Sequence, residues 1–229
     1  LSNAGPFLAA AMITGGRVTI PGWPEATTQA GDAWRALLAH MGADLTLDER
    51  GLTVVGPGAG FYPGINATMA QAGELTPTLV AICAYASSPS RLTGIAHLRG
   101  HETNRLAALV AEINRAGGHA EETEDGLVVT PRPLHGATLS SYADHRMATF
   151  AAILGLATPG IAVDDVSCTS KTLPGFATMW RSVVEGRAPR SASPHPALAR
   201  TLSRETDEVR SSAERAEASP MPMGQPKKR

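Results

Sequence analysis

The sequence predicts an α/β domain built from three related units, in which helices pack against short sheets. Each unit reads strand–helix–strand–helix–strand–strand. The repeat is visible because Gly51-Leu52-Thr53-Val54 returns 75 positions later as Gly126-Leu127-Val128-Val129. Each copy follows an amphipathic helical segment that ends at a glycine turn, over 33–41 and 106–115. Self-similarity at a fixed spacing indicates a repeated structural unit.

The remaining elements follow the same order in each copy. Small-residue helices are predicted over 7–14, 75–87 and 146–157, and the strands that follow them over 17–21, 91–96 and 161–166. Opening strands are predicted over 64–68 for the second unit and 137–142 for the third, and a last helix over 174–184. The first unit lacks an opening strand and the third lacks a closing hairpin. Sheets short of strands expose unpaired edges, so we expect a domain incomplete at its N-terminal side, either a fragment or one completed by another segment.

Two regions differ in composition. Residues 1–186 form the predicted domain, and residues 187–229 are rich in Ser, Pro, Ala, Arg and Glu, so we expect a disordered tail there. The tail carries nine Lys/Arg against five Asp/Glu, whereas the body carries eleven against sixteen. An anion site in the body must therefore be built from local groups rather than from the overall field.

The composition also indicates a compartment. With only Cys83 and Cys168, a disulfide framework is not expected, and a reducing cytoplasm is the predicted location. The apolar run over 7–14 is too short to span a bilayer. We expect neither a membrane nor a nucleic acid as a partner.

The quasi-symmetric units are expected to aim helix N-termini at one region, and such N-termini favour phosphate and carboxylate groups. These starts are predicted near Ser2-Asn3, Thr27–Gln29, Glu74–Pro77, His101–Thr103, Asp144–Arg146 and Thr169–Lys171. The same region receives three cations and five possible proton carriers: Arg105, Arg146, Lys171, Glu74, Glu102, His97, His101 and His145. Arginine binds carboxylate and phosphate in a bidentate manner, while carboxylates and histidines transfer protons. The pattern predicts acid–base chemistry on a polyanionic substrate.

Ordinary structural interpretations of these residues remain open at this point. Glu102 and Arg105, three residues apart, fit a surface helix pair. Glu74 fits a favourable acid in a first helical turn, and Asp144–Arg146 fits a helix cap. Lys171 fits a solvated lysine, although it is the only lysine of the body.

His97 and His101 have a spacing that metal ligands can use. They lie four residues apart with Glu102 adjacent. Arg99 and Arg105 nearby argue against a bound cation, and we expect no metal site.

Four runs carry a resemblance to a known family. They are Leu1–Ala11, His101–Leu106, Tyr142–Ala148 and Lys171–Pro174. Together they resemble signature segments of the 5-enolpyruvylshikimate-3-phosphate (EPSP) synthases of the enolpyruvyl transferase family, in that family's order and spacing, over about residues 1–185. The resemblance implies one domain of a two-domain fold with three βαβαββ units in each domain, whose N-terminal domain is absent here.

The resemblance also implies a reaction. The family transfers the enolpyruvyl group of phosphoenolpyruvate to the 5-hydroxyl of shikimate 3-phosphate, releasing phosphate, in chorismate and aromatic amino-acid biosynthesis. It needs no metal or organic cofactor. The implied partners are the two substrates and the N-terminal domain of the same enzyme, and the full-length enzyme is expected to be a monomer. The isolated chain is expected to be inactive.

The resemblance assigns roles to individual residues. Arg105, Arg146, Lys171 and His145 would surround phosphoenolpyruvate. Glu74 would act as base at the acceptor hydroxyl and, with His97 and His101, contact shikimate 3-phosphate. Glu102 and Lys171 would move protons at the enol carbon and the leaving phosphate.

Three positions depart from the family pattern, namely Asn104, Glu74 and His101, where Asp, Asp and Lys are commoner. Asn104 is expected to loosen the positioning of Arg105. Two other functions stay open: the related UDP-N-acetylglucosamine enolpyruvyl transferase, and a non-catalytic binding module left by truncation.

Overall fold

The computed structural model describes residues 1–101 and 103–186, and Leu1–Val184 form one compact unit. The predicted tail, 187–229, lies outside the described residues. The helices are α1 (Gly5–Thr14), α2 (Ala33–His40), α3 (Thr76–Cys83), α4 (Arg105–Arg115), α5 (His145–Leu154) and α6 (Phe176–Val184). The strands are β1 (Arg17–Ile20), β2 (Asp44–Asp48), β3 (Gly51–Val55), β4 (Asn66–Thr68), β5 (Ser90–Thr93), β6 (His119–Glu122), β7 (Leu127–Thr130), β8 (Thr138–Leu139) and β9 (Ala162–Val163).

Each unit contributes its own small sheet. Over the described residues the strand orders are β1-β3-β2, β4-β5-β7-β6 and β8-β9. The opening strands pair in parallel, β4 with β5 and β8 with β9, and the hairpins pair antiparallel. The first sheet has no counterpart of β4 among these residues, and the third has no counterpart of the β6–β7 hairpin. The predicted α/β class and the uneven strand content are confirmed.

The first helices of the three units, α1, α3 and α5, pack against one another at the centre of the domain. All eight residues of α3 are buried, as are Ala9, Ala10 and Ala11 of α1. A helix that is apolar on every side is stable only when surrounded by protein. The small side chains allow these helices to approach closely, so their N-terminal ends lie near one another.

The repeated glycine has a packing role in both copies. Gly51 is the first residue of β3 and Gly126 immediately precedes β7, so they lie next to the pairs Ile20–Leu52 of β1 and β3 and Leu92–Leu127 of β5 and β7. A Cβ atom at Gly51 would overlap the Ile20 carbonyl oxygen, and one at Gly126 would overlap that of Leu92. The sequence repeat therefore marks a place where two backbones meet too closely for a side chain.

We expect Gly126→Ala to destabilise the domain by about 1–3 kcal/mol, because the new methyl group must displace backbone rather than a flexible side chain. Gly100→Ala is the matched control, since a Cβ at Gly100 has nothing within 4 Å. Urea unfolding followed by circular dichroism measures both changes. Equal midpoints for the two variants would show that the Leu92 carbonyl does not constrain Gly126.

Three predicted helices are clearly shorter than expected, and one of them, α5, ends at Leu154 rather than at Ala157. Helix α3 ends at Cys83 rather than Ser87, because the chain turns there and the Tyr85 hydroxyl donates to the Leu154 carbonyl at 2.6 Å. Helix α6 begins at Phe176 rather than Pro174, after Gly175 in the left-handed region at φ 79°. In the part of the chain that the structure describes, no helix has the length and apolar character needed to cross a bilayer.

Candidate functional site

Asp144 is at the centre of the candidate site. It caps α5, with Oδ1 accepting a hydrogen bond from the Arg146 backbone N–H at 2.9 Å. Its other oxygen, Oδ2, accepts from Arg105 Nε at 2.6 Å, and both side chains of this ion pair are buried. Burial raises the pKa of Asp144, but the hydrogen bonds from Arg105 and Arg146 outweigh it and the pKa is lowered overall. One carboxylate therefore fixes the starts of two helices.

Arg105 is held by this contact and by its place in α4. The side chain of Asn104 accepts a hydrogen bond from the Ala107 backbone N–H at 3.1 Å and so caps the helix. Arg105 Nη1 lies 3.2 Å from His101 Nδ1. The expected loosening of Arg105 by Asn104 stays a prediction; in the structure Asp144 orients the guanidinium.

Two histidines extend the cluster toward α3. The rings of His97 and His101 have centroids 5.9 Å apart. His97 Nε2 lies against Gly73, at 2.7 Å from where a Cβ would be. Glu74 follows in the same 3₁₀ turn, Gly73–Leu75, and is half-buried. The polar cluster at the starts of α4 and α5 thus reaches the turn that precedes α3.

A pocket opens beside Arg146, between the starts of α1, α3 and α5. It is a small cleft that opens to solvent, and its lining includes Ser2, Asn3, Thr78, His145, Arg146, Thr149, Thr169 and Thr172. Asn3 Nδ2 donates to the Thr172 carbonyl at 3.0 Å and joins the first unit to the third. Hydroxyl and amide groups around a guanidinium, at helix N-termini, suit an anionic ligand.

Lys171 is the last residue of the 3₁₀ turn Ser167–Lys171 and is exposed. The prediction that a helix starts at Thr169–Lys171 is wrong for the α-helix, which begins at Phe176 because Pro174 and Gly175 interrupt the chain. The turn nevertheless packs on α5. Thr169 within the turn and Thr172 just after it line the pocket with Arg146.

His145 lies beside the same carboxylate, with Nδ1 3.8 Å from Asp144 Oδ1. Glu102 lies outside the described residues. Among the residues described, no group of three or more His, Cys, Asp or Glu side chains is placed to hold a metal ion. His101 of this pair instead contacts the guanidinium of Arg105.

Comparison with known proteins identifies the family. A family model described as EPSP synthase (3-phosphoshikimate 1-carboxyvinyltransferase) matches residues 1–180. The chain belongs to the EPSP synthase family.

Individual relatives agree with this assignment. The 3-phosphoshikimate 1-carboxyvinyltransferase of Kocuria rhizophila is 58% identical over 184 residues, which cover 80% of this chain and 41% of that protein. Two structures of EPSP synthase from Acinetobacter baumannii show the same fold, with TM-scores of 0.71 and 0.67 at 24% identity. Each match covers 79% of this chain and 44% of the other. The chain therefore spans less than half the length of these EPSP synthases.

The EPSP synthase fold brings most of the predicted site residues together. Arg105 and Arg146 share Asp144, His101 contacts Arg105, His97 lies beside the turn of Glu74, and Lys171 belongs to the turn that borders the pocket. Their catalytic and binding roles stay predictions.

Several residues of the site were not predicted from the sequence. The tertiary structure adds Asn3, Thr78 and Thr172 to the pocket, and the sequence interpretation gave Asp144 only a capping role. The Asp-His-Arg run is a signal for the cap, because Asp is a favoured N-cap residue. Nothing in the sequence indicates that the same carboxylate meets an arginine 39 residues away.

The His101 side chain predicts a pH-dependent anion affinity. Burial, with the charges of Arg105 and His97, lowers the pKa of His101 below its usual 6.5. As the pH falls, the unfolded chain therefore binds this proton before the folded chain does. The contribution of His101 to stability is complete above about pH 6.5 and declines as the pH falls toward the lowered pKa. A bound anion opposes the shift and raises the pKa of His101, so protonation and anion binding favour each other.

We expect sulfate, which keeps its charge over this range, to bind several-fold more tightly at pH 6 than at pH 8. His101→Gln should remove most of this dependence, whereas His40→Gln, at the exposed end of α2, should leave it intact. Isothermal titration calorimetry at constant ionic strength measures the affinities. An unchanged pH dependence in His101→Gln would exclude His101 as its source.

Proposed function

We propose that this chain forms one face of the active site of a 3-phosphoshikimate 1-carboxyvinyltransferase. This enzyme transfers the enolpyruvyl group of phosphoenolpyruvate to the 5-hydroxyl of shikimate 3-phosphate. Membership of the EPSP synthase family supports the proposal. The observation that carries it in the structure is Asp144, which pairs with the Arg105 guanidinium and accepts a hydrogen bond from the Arg146 backbone N–H, beside His101 and the starts of α4 and α5. The cytoplasm is the proposed location, and the full-length enzyme is proposed to be a monomer.

The reaction needs groups that bind anions and groups that transfer protons. The acceptor oxygen forms a bond to C2 of phosphoenolpyruvate, the bond from that carbon to the phosphate oxygen breaks, and the hydroxyl proton leaves. Fixed guanidinium groups and helix N-termini stabilise the charge of the transition state without reorganising. The body carries more acidic than basic residues, so this stabilisation has to come from the local arrangement rather than from the net charge.

The roles of individual residues are those that the family resemblance implies. Arg105, Arg146 and Lys171 bind the carboxylate and phosphate of phosphoenolpyruvate, and His145 borders them. Glu74 takes the acceptor proton. His97 and His101 contact the ester phosphate of shikimate 3-phosphate. Glu102 transfers protons together with Lys171.

Phosphate release tests the proposal. Phosphoenolpyruvate is supplied with either shikimate 3-phosphate or UDP-N-acetylglucosamine as acceptor, and the chain is combined with the portion of the Kocuria rhizophila relative that it does not cover. Release that depends on shikimate 3-phosphate supports the proposal. Release with the nucleotide sugar alone would assign the chain to the related transferase.

A further inference from the structure

Glu112 is a buried carboxylate with no place in the proposed reaction. It lies on α4 with a side chain that is 0% exposed. Its Oε1 accepts a hydrogen bond from the Tyr142 hydroxyl at 2.7 Å, and its Oε2 accepts from the Ser140 backbone N–H at 3.0 Å. A third donor, Arg115 Nε, lies 3.1 Å from Oε2 on a largely exposed side chain. A buried carboxylate is tolerated when its oxygens are satisfied in this way.

The segment that Glu112 holds has an unusual backbone. Tyr142 and Ala143 both have φ of 54°, and the next residue is Asp144. Side chains with a Cβ rarely occupy this left-handed region, because the Cβ approaches the following carbonyl oxygen. Strain of this kind persists only where surrounding contacts enforce it, and it is concentrated at functional sites.

Contacts on both sides enforce the conformation. Asp164, after β9, accepts from the Ser141 backbone N–H and from the Ser140 hydroxyl, each at 2.8 Å. On the opposite side, Glu112 and Arg105 lie seven residues apart on α4, which places them on one face of that helix. Helix α4 therefore contacts the strained turn through Glu112. It contacts Asp144, the residue just after that turn, through Arg105.

We propose that Glu112 is a positioning residue for the anion site: it holds Ser140 and Tyr142 so that Asp144 can pair with Arg105 while capping α5. Glu112 itself contacts no substrate. The effect on anion binding rests on the proposed function, whereas the effect on the geometry of Arg105 does not. Tyr142 carries the contact to the turn, and burial, with the hydrogen bond to Glu112, raises the pKa of that hydroxyl to about 12.

The Nε–H resonance of Arg105 tests the proposal directly. In the intact chain, a charge-assisted bond of 2.6 Å predicts a downfield, exchange-protected signal, assigned by its disappearance in Arg105→Lys. Asp144→Asn is the positive control, which must displace the signal. We expect Glu112→Gln and Tyr142→Phe to move it upfield and to speed its hydrogen exchange by roughly fivefold to tenfold. Arg115→Ala, which removes the remaining donor to Glu112 and leaves the turn untouched, should not move it.

Each outcome decides the proposal. If Glu112→Gln fails to fold, Tyr142→Phe decides alone, because it deletes one hydroxyl from a partly exposed ring. A resonance unchanged in the variants that fold, or one equally displaced in Arg115→Ala, overturns the proposal. A loss of thermal stability without a change at Arg105 would give Glu112 a merely structural role and overturn it as well.

Binding of phosphoenolpyruvate provides a second measurement at a temperature where all variants are folded. The expected loss of affinity is severalfold for Glu112→Gln and Tyr142→Phe and none for Arg115→Ala. If the intact chain binds no phosphoenolpyruvate, the proposed function is in doubt, while the resonance of Arg105 still reports on the role of Glu112.

Discussion

Arg105→Ala is expected to lower the free energy of unfolding by about 3–5 kcal/mol, because it leaves the carboxylate of Asp144 buried without its cation. The side chains of this ion pair are only 5% and 0% exposed, and Nε lies 2.6 Å from Oδ2. The cap on α5 keeps its other oxygen, so the loss comes from the pair itself. Domains are commonly stable by only about 5–15 kcal/mol, so the change removes a large share.

Arg50→Ala is the matched control for this substitution. Arg50 pairs with Asp48 at 2.7 Å, but its side chain is 75% exposed, and such surface pairs contribute little. Chemical denaturation of the intact chain and the two variants gives the comparison. Similar unfolding midpoints for Arg105→Ala and Arg50→Ala would show that Asp144 is not buried as a charge.

The pH dependence provides an independent check of the same pair. The folded pKa of Asp144 is lowered, so its contribution to stability is complete above the unfolded value of about 4 and is lost as the pH falls through the folded pKa. Without Arg105, burial remains and raises that pKa. Folded Arg105→Ala therefore takes up this proton more readily than the intact chain does, so the difference in stability between the two should narrow as the pH falls below about 4.

We expect no measurable phosphate release from the chain alone and clear release when the uncovered portion of its Kocuria rhizophila relative is added. The chain covers 41% of that enzyme, and the proposed anion site therefore draws only on the groups that this portion supplies, Arg105, Arg146 and Lys171. Catalysis depends on holding both reactants in a fixed geometry, an effect worth several orders of magnitude in rate. A site built from one face cannot supply that effect.

Within the restored enzyme, Lys171→Ala is expected to reduce turnover about 100- to 1,000-fold, the usual consequence of removing one group that stabilises the transition state. Arg50→Ala should leave turnover unchanged, since Arg50 belongs to the β2–β3 hairpin and its ion pair with Asp48. Turnover by the chain alone at the rate of the restored enzyme would contradict the one-face proposal. Equal rates for Lys171→Ala and Arg50→Ala would remove Lys171 from the mechanism.

Local patterns in the sequence were sufficient for the elements and the family. The repeated Gly-Leu pair lies at the second strand of each hairpin, where the backbone approaches Ile20 in one copy and Leu92 in the other. Such a close approach requires glycine, and a required glycine is visible in the sequence. Small-residue helices indicated the central packing of α1, α3 and α5, because apolar periodicity reports how much of a helix is buried. Helix starts near Ser2, Glu74 and Asp144 then predicted the position of the candidate anion site.

Only the tertiary structure decided which groups meet there. Arg105 and Asp144 are 39 residues apart, and Tyr142 reaches Glu112 over 30, so no local pattern predicts either contact. The left-handed turn at Tyr142 and Ala143 also has no sequence signal, since neither residue favours that conformation. Sequence periodicity records the burial of each element against its neighbours. The partners of buried charged groups are fixed by the long-range packing of whole helices.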